Sequence, residues 1–208
     1  RDWSSDVCSS DLLIDMTTTS PMISKKIYEE GKKKGVHVVD APVTGGDTGA
    51  KAGTLSILVG GNKEDYEACM PLFEAMGTNI NYQGEAGCVQ HAKMVNQICI
   101  AGLVQGLSEA IAFGQIAGLD MEKVLNAINK GAAQSWQMEN RSHTMLQGHF
   151  DFGFAVDWMR KDLAMVLEEA RRTGARLPVT ALVDQFYAQV QAAGGSRWDT
   201  SSLITLLR

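Results

Sequence analysis

The feature of this sequence that most constrains its fold is a change of pattern near residue 84. Before that point, short apolar runs of strand length alternate with polar stretches of helical spacing. After it, the apolar spacing is helical and no run rich in β-branched residues follows. Strands that alternate with helices form an α/β layer with a mostly parallel sheet. The sequence therefore predicts a small α/β part followed by an all-α part.

The predicted elements follow from the apolar periodicity along the chain. Strand-like runs fall at residues 12–16, 36–41, 55–59 and 79–83, with helical stretches at residues 23–34 and 63–76. The second part begins with a long helix over residues 89–117. Further helices are expected near residues 121–129, 134–146, 154–173 and 178–192, with a short one at the C-terminus.

The long helix carries a stripe of small residues. The chain has 21 glycines, about one residue in ten, against a usual frequency of roughly 7%. Small residues fall one turn apart at Gly102, Gly106, Ala110 and Gly114, beside a row at Leu103, Leu107 and Ile111. Each glycine costs about 1 kcal/mol of helix propensity. Because only tight packing would offset that cost, we expect a core helix with another helix packed closely against the stripe.

Composition excludes several classes of protein. Hydrophobic residues make up 45% of the chain and the formal charge is 19 − 24 = −5, which argues against disorder and against a nucleic-acid binder. The longest purely apolar stretches are shorter than the about 20 residues that span a bilayer. The four cysteines form no C-x-x-C pair, which favours a reduced protein. We therefore expect a cytoplasmic protein with no nucleic-acid or membrane partner.

Several catalytic and cofactor motifs are absent from the sequence. There is no H-E-x-x-H, no clustered Cys/His spacing for zinc and no G-x-S-x-G, so we expect no metal site. No two glycines are separated by a single residue. The G-x-G-x-x-G fingerprint that binds a dinucleotide pyrophosphate is therefore missing from the chain.

The first residues do not resemble part of a fold. The segment RDWSSDVCSSDL has no initiator Met, no apolar stretch typical of a signal peptide and no amphipathic Arg pattern. It looks like read-through of a cloning or sequencing adapter, joined to an open frame near Leu12. We expect residues 1–11 to be a non-native prefix and the native N-terminus to be missing.

A first candidate site follows the second predicted strand, at Thr44, Gly45 and Gly46. Ligands of α/β sheets bind outside the carboxyl ends of the strands. Paired glycines let backbone N–H groups approach an anion, and the Thr44 hydroxyl adds a donor beside them. The alternative is a glycine-rich connecting turn without a ligand.

A second candidate site is the start of the long helix, where Lys93, Asn96 and Gln97 share one face at spacing i, i+3 and i+4. Partial desolvation of an amine favours its neutral form, which suits proton transfer. The alternative is an ordinary solvated lysine in a first helical turn. His91 lies about 200° around the helix from Lys93, so we interpret it as a surface or packing residue.

A third candidate is the pair Lys161 and Asp162, which lies off the apolar face of the helix predicted over residues 154–173. Charged residues in such positions are ordinarily solvated, and only their context would give them a function.

Taken together, the motifs resemble the β-hydroxyacid dehydrogenases, the family of 3-hydroxyisobutyrate dehydrogenase and tartronate semialdehyde reductase. The motifs occur in the family's order and spacing: IDMTTTSP at residues 14–21, DAPVTGG at 40–46, GTL at 53–55, VGG at 59–61, KMVNQ at 93–97 and KDL at 161–163. The resemblance covers essentially everything from Leu12 to the end of the chain.

This resemblance implies the C-terminal half of a Rossmann-type domain, then a long interdomain helix and an all-α C-terminal domain. Residues 12–84 would form the partial NAD(P)-binding domain. Residues 85–208 would form an NAD-binding and dimerisation domain like that of 6-phosphogluconate dehydrogenase. The missing glycine fingerprint implies an N-terminally truncated member whose own activity is very weak or absent. Family members associate through the helical domain, so the resemblance also implies a homodimer or homotetramer.

The resemblance implies NAD(P)-dependent interconversion of a 3-hydroxyacid, such as 3-hydroxyisobutyrate, and its semialdehyde. Reduction of tartronate semialdehyde (2-hydroxy-3-oxopropionate) is the alternative within the class. A non-catalytic relative that binds a small acid or a partner is the alternative outside it. Retention of Lys93 and Asn96 argues against that last alternative, because a binding module needs no proton donor.

Residue by residue, the resemblance implies that Lys93 is catalytic and exchanges a proton with the substrate oxygen. Thr44, Gly45 and Gly46 match the loop that binds the substrate carboxylate, where the family more often has Ser at position 44. Asn96 would bond the substrate, and Gln97 takes the next position. The positions implied to contact the cofactor, NAD or NADP, are Thr18, Lys161 and, more weakly, Phe154.

Overall fold

A computed structural model describes residues 11–208 and divides the chain into two compact units, with the boundary between Val95 and Asn96. The division falls inside a helix, later than the change of pattern near residue 84. The expected prefix lies outside the described residues, apart from Asp11.

The first unit is built on a mixed five-stranded sheet. Its strands are β1 (Leu12–Asp15), β2 (His37–Asp40), β3 (Val43–Thr44), β4 (Leu55–Gly60) and β5 (Gly77–Gly84), and its helices are α1 (Pro21–Lys33), α2 (Gly46–Ala52) and α3 (Lys63–Glu74). β1 pairs with β2, and β4 with β5, in parallel. β2 and β3 both run antiparallel to β4, so the expectation of a mostly parallel sheet is only half met.

Alternation along β4 builds the core of the first unit. Leu55, Ile57 and Val59 are buried at every second position, as expected for a strand with one face on a core. Cys69 and Phe73 of α3 pack against them. The sheet face covered by α3 is thus set by the period-two pattern of a single strand.

The region around residue 44 contains two short elements that the sequence did not predict. Thr44 ends strand β3, and Gly45 is the N-cap of the short helix α2. The backbone has φ of +127° at Gly45 and +64° at Gly46, in the region that favours glycine. Residues without a Cβ are therefore required where the chain turns from strand to helix.

The second unit is helical, and the predicted order of α/β followed by all-α is confirmed. Helix α4 (Cys88–Ile116) contains the boundary between the units. It is followed by α5 (Met121–Ile128), α6 (Trp136–Gln147), α7 (Val156–Thr173), α8 (Pro178–Ala192) and a C-terminal 3₁₀ helix (Thr200–Leu207). The predicted helices match these bounds to within about two residues, the usual uncertainty of a helix end.

A buried ion pair ties the C-terminal 3₁₀ helix to the rest of the second unit. Asp199 is fully buried, and its carboxylate lies 3.2 Å from Arg141 of α6. The same carboxylate accepts the backbone N–H groups of Phe154 and Ser201. Since a buried charge is tolerated only when it is paired and hydrogen-bonded, these contacts make the last segment part of the core.

The expectation that the small-residue stripe of α4 packs against a neighbouring helix is wrong for most of its length. A Cβ added at Gly102 or Gly106 would meet nothing within 4 Å, and Ala110 is exposed. Only Gly114 is closely packed, against the Met121 side chain. The core-facing row of α4 is a different set of residues and includes Ala101, Val104, Leu107 and Ile111.

Helix α4 also meets the length and composition criteria for crossing a membrane, with a mean hydropathy of 1.3 over its most apolar 18-residue window. The helix has 29 residues and includes polar positions, so it is longer than the purely apolar stretches considered in the sequence analysis. Of the residues in that window, 44% are buried within the protein. Gln97, Gln105 and Ser108 are among its buried polar residues.

Candidate active site

The predicted catalytic lysine lies on α4 and is buried, with 7% of Lys93 exposed. Lysine side chains are almost never fully buried, so this burial sets Lys93 apart. Gly87, just before the helix, has φ of +85° and packs against Pro21 and Lys25 of α1. A turn that only glycine adopts comfortably therefore brings the start of α4 against α1.

A buried carboxyl group anchors this turn. Asp40, at the end of β2, accepts the Gly87 N–H on Oδ2 at 3.1 Å. The hydroxyl of Ser24 from α1 donates to the same oxygen. Burial raises the pKa of the Asp40 carboxyl above its usual range, and the two donated hydrogen bonds oppose that rise. β2, α1 and the beginning of α4 thus meet at one side chain.

A side-chain amide joins the first turn of α4 to the segment after β1. Gln90 Nε2 donates to the Thr17 carbonyl at 3.1 Å. Gln90 Oε1 accepts the Thr19 N–H, also at 3.1 Å. These two backbone groups flank Thr18, the residue expected to contact the cofactor. The structure therefore links residues 17–19 and the start of the helix that carries Lys93 within the first unit.

The predicted carboxylate-binding residues lie together at the junction of β3 and α2. Thr44 pairs with Ser56 of β4 and is half-buried. A Cβ on Gly46 would meet nothing within 4 Å, so its backbone is open to an incoming group. Gly45 packs closer, with the Leu55 side chain 3.2 Å from an added Cβ. The junction offers a hydroxyl and a bare backbone on the same unit as Lys93.

In the second unit, the predicted substrate-side and cofactor-side residues are connected. Asn96 Nδ2 donates to Gln97 Oε1 at 2.7 Å, and Gln97 Nε2 donates to Asp162 Oδ2 at 2.7 Å. The Lys161 ammonium lies 3.0 Å from Asp162 Oδ1. One hydrogen-bonded chain of four side chains thus joins α4 to α7.

Among these four hydrogen-bonded side chains, Asp162 is the one whose role the sequence did not reveal. It is 2% exposed, where its position off the apolar face of α7 favoured a solvated charge. Its carboxylate is compensated by Gln97 and Lys161, while the Lys161 side chain stays 52% exposed. The amide partner stands 65 residues away in the chain. Nothing in the local sequence pattern indicates that partner.

Phe154 lies two residues before α7, half-buried beside Trp158, with ring centroids 5.8 Å apart. Its backbone N–H donates to the Asp199 carboxylate at 2.9 Å. The ion pair of the second unit therefore fixes the backbone that carries this aromatic ring.

No group of three or more His, Cys, Asp and Glu side chains within residues 11–208 is arranged to hold a metal ion. The chemistry that the described side chains offer is proton transfer from a buried amine, hydrogen bonding by amides and a hydroxyl, and a positive charge at Lys161. Such a set suits a small polar acid and its carbonyl form.

These residues fit part of a dinucleotide cofactor. Lys161 presents an exposed ammonium and Phe154 an aromatic face, while Gln90 holds the backbone around Thr18. Helix α1 begins with a Ser20 cap and Pro21, in place of a glycine-rich phosphate turn. The residues that the resemblance implies for the nicotinamide side of a dinucleotide are thus present, and the sequence lacks the pyrophosphate fingerprint.

Two family models match the chain. Residues 87–207 match the family described as the NAD-binding domain of NADP-dependent 3-hydroxyisobutyrate dehydrogenase. Residues 3–84 match the NAD-binding domain of 6-phosphogluconate dehydrogenase. The two matches meet at the turn that precedes α4.

Similar proteins span more sequence than this chain does. An uncharacterised oxidoreductase of Shewanella frigidimarina is 52% identical over 94% of this chain and 67% of its own length. The 2-hydroxy-3-oxopropionate reductase of Escherichia coli is 37% identical over 94% of this chain and 67% of its own length. A probable 3-hydroxyisobutyrate dehydrogenase-like protein of Arabidopsis thaliana is 40% identical, and the match covers 94% of this chain and 58% of that protein.

Solved structures share the fold. The 3-hydroxyisobutyrate dehydrogenase of Mycobacterium tuberculosis, solved with L-serine, superimposes with a TM-score of 0.85 at 28% identity, over 95% of this chain and 70% of that chain. The protein Psf3, in complex with NADP+ and 2-OPP, gives a TM-score of 0.90 at 25% identity, over 100% of this chain and 73% of that chain.

Proposed function

Because this chain belongs to the β-hydroxyacid dehydrogenase family, whose members use NAD or NADP, we propose that it supplies the catalytic part of an enzyme that interconverts a 3-hydroxyacid and its semialdehyde. The observation that carries the proposal is the burial of Lys93 on α4, within the unit that also contains Thr44 and Gly46. Asn96 and Gln97 follow Lys93 on the same helix.

In the oxidative direction, Lys93 Nζ accepts the proton of the substrate hydroxyl. In the reverse direction it returns that proton to the carbonyl oxygen, and its charge stabilises the developing alkoxide. Thr44, with the backbone of Gly45 and Gly46, binds the substrate carboxylate. Asn96 bonds the substrate beside the reacting carbon and is held by Gln97, which Asp162 orients in turn.

The nicotinamide ring supplies the hydride acceptor or donor when the cofactor is bound. On the chain's side, Lys161 contributes a positive charge, Thr18 a backbone and hydroxyl contact, and Phe154 an apolar wall. Asp162 keeps the Lys161 ammonium close to α7, at 3.0 Å from its carboxylate.

For the substrate, we favour a small 3-hydroxyacid of the 3-hydroxyisobutyrate type. The relative named 2-hydroxy-3-oxopropionate reductase makes tartronate semialdehyde the second candidate. A panel of 3-hydroxyacids with NAD and NADP, and of semialdehydes with the reduced cofactors, separates the two by kcat/KM. The extra methyl of threonine at position 44, where the family more often has serine, argues for testing α-substituted and unsubstituted acids side by side.

The chain alone binds the cofactor poorly, because its sequence contains no G-x-G-x-x-G for the pyrophosphate. The coding DNA upstream of Leu12 tests this: a G-x-G-x-x-G there would support the enzyme, with the residue about 20 positions beyond it distinguishing NAD (acidic) from NADP (basic), and its absence would favour a binding module. A fluorescence titration of the 208-residue chain with NADH or NADPH is expected to show no micromolar binding. Micromolar binding would contradict this part of the proposal.

A non-catalytic module of the same fold is the alternative function. It would bind a small acid at Thr44–Gly46 without turning it over. Turnover measured in an enzyme completed with upstream residues separates the two functions. Turnover that is abolished by Lys93→Ala supports catalysis. Acid binding without turnover would favour the module.

We further propose that the protein is cytoplasmic and associates as a homodimer or homotetramer. The support for association is the apolar face that α4 exposes in the second unit, where Leu103 is 45%, Phe113 71% and Ile116 84% exposed.

A further inference from the structure

We propose that Gln90 is a positioning residue for Lys93: its side-chain amide holds the first turn of α4 in a fixed register with the segment 17–19. The inference rests on the proposed function, in which Lys93 moves the proton and Thr18 lies against the cofactor. Neither the motifs nor the family resemblance assigns a role to Gln90.

The Gln90 side chain forms hydrogen bonds with the backbone of residues 17–19 in the way that a neighbouring strand would. A carboxamide carries a donor and an acceptor in one plane, so it can pair with a peptide C=O and N–H at once. Gln90 does this with the Thr17 carbonyl and the Thr19 N–H, both at 3.1 Å, and it is fully buried. A buried amide is costly unless both ends are satisfied, so the pairing is specific to this register.

A second tie prevents the turn from rotating about Gln90. The Gly87 N–H, three residues earlier, is held by the Asp40 carboxyl at the end of β2. Two anchors on different elements fix both the rotation and the axial position of one helical turn. The two anchors join α4 to the segment that follows β1 and to the end of β2.

Lys93 stands three residues beyond Gln90, about 300° around the helix and about 4.5 Å along its axis, and thus near the same face. Any rotation or slide of the first turn therefore displaces the Lys93 side chain relative to segment 17–19. In an enzyme of this kind a misplacement of about 1 Å can cost about 100-fold in rate. Gln90 sets the distance between the proton donor and the cofactor side of the site.

The test compares Gln90→Leu, which loses both hydrogen bonds, with Gln90→Glu, which keeps the shape and the acceptor but loses the donor. Hydrogen exchange of the Thr19 amide is followed by NMR, and the Lys93 amine is followed by its rate of reductive methylation. We expect Thr19 exchange to rise about 10-fold or more in Gln90→Leu and less in Gln90→Glu. The methylation rate of Lys93 should change several-fold in the same order.

Two controls separate positioning from general loss of stability. Gln115→Leu makes the same substitution at an exposed site on the same helix and should leave both readouts unchanged. Val59→Ala opens the core of the first unit and lowers its stability without touching the amide pairing. If Val59→Ala alters Lys93 methylation as much as Gln90→Leu does, or if Thr19 exchange is unaffected in both Gln90 variants, the proposal is overturned.

In an enzyme completed with the upstream residues, Gln90→Leu should lower kcat about 10- to 100-fold with KM for the hydroxyacid nearly unchanged. A rise in KM with constant kcat would overturn the positioning role. Turnover that survives Lys93→Ala would instead refute the proposed function. The exchange and methylation measurements would still decide whether Gln90 positions α4, because they need no activity.

Discussion

At the scale of single residues, key polar side chains of the candidate site are buried, and Asp162 is paired with a residue distant in the chain. Lys93 and Asp162 are both less than a tenth exposed, and Asp162 is paired with Gln97 across 65 residues. The spacing of Lys93, Asn96 and Gln97 predicted that they share one face of a single helix. Spacing could not give Asp162 its partner, because that pairing depends on how α4 and α7 pack.

The first residue-scale prediction concerns Lys93 in the completed enzyme. Lys93→Ala should lower kcat about 100- to 10,000-fold, because a positioned general acid–base group contributes that much to the rate. Binding of the cofactor, measured by fluorescence titration, should change less than about twofold. Lys93→Arg keeps the charge, but a guanidinium does not release its proton at any pH used for the assay, so its kcat should also stay low. Near wild-type turnover in either variant would remove Lys93 from proton transfer.

The second residue-scale prediction concerns the pH dependence of stability at Asp40, whose pKa is raised by burial. The folded state holds this proton more tightly than the unfolded chain, where an Asp titrates near about 3.9. The stability that Asp40 contributes is therefore fully present below about pH 4 and is lost as the pH rises through the folded pKa. Asp40→Asn cannot titrate, so the free energy of unfolding of the wild type minus that of the variant should fall from about pH 4 to pH 7.

Urea unfolding followed by circular dichroism at several pH values measures this difference. Asp151→Asn, at an exposed site in the second unit, serves as the control and should give a nearly constant difference. A difference for Asp40→Asn that rises with pH would mean that its hydrogen bonds outweigh its burial.

At the scale of elements, helices and core strands could be predicted from periodicity, and the short elements could not. β3 has two residues and α2 has seven, too few for a period to show. Their presence depends on pairing with β4 and on glycines that adopt positive φ. For α4, apolar periodicity predicted the length of the helix, but the spacing of small residues did not show which face meets the core.

The element-scale prediction concerns the turn before α4. Gly87→Ala should destabilise the protein by about 1–2 kcal/mol for its left-handed backbone, and further because the new methyl would lie 3.0 Å from the Pro21 carbonyl. Gly118→Ala is a matched control, with φ of +76° and nothing within 4 Å of the added Cβ. The difference between the two losses in free energy of unfolding, measured in urea, isolates the contact with α1. Equal losses would show that the contact with α1 relaxes without cost.

At the scale of the whole molecule, the exposed face of α4 is the feature that the interior of this chain does not explain. Positions 103, 106, 110 and 113 follow a helical spacing of three and four, and they combine small with large apolar residues. Two glycines in an exposed helix cost about 2 kcal/mol in helix propensity, and within residues 11–208 nothing lies close enough to either glycine to offset that cost. A helix from a second copy, approaching closely over Gly102 and Gly106, would supply such a contact.

The whole-molecule prediction follows from this face. Gly106→Arg places a long charged side chain in the stripe, where nothing lies within 4 Å of the added Cβ, so the fold of one chain should tolerate it. We expect the wild type to sediment as a dimer or tetramer and Gly106→Arg as a monomer. Glu168→Arg, on the exposed surface of α7, should leave the wild-type assembly intact. If Gly106→Arg retains the wild-type mass, the copies associate through another surface, and the stripe on α4 has a different partner.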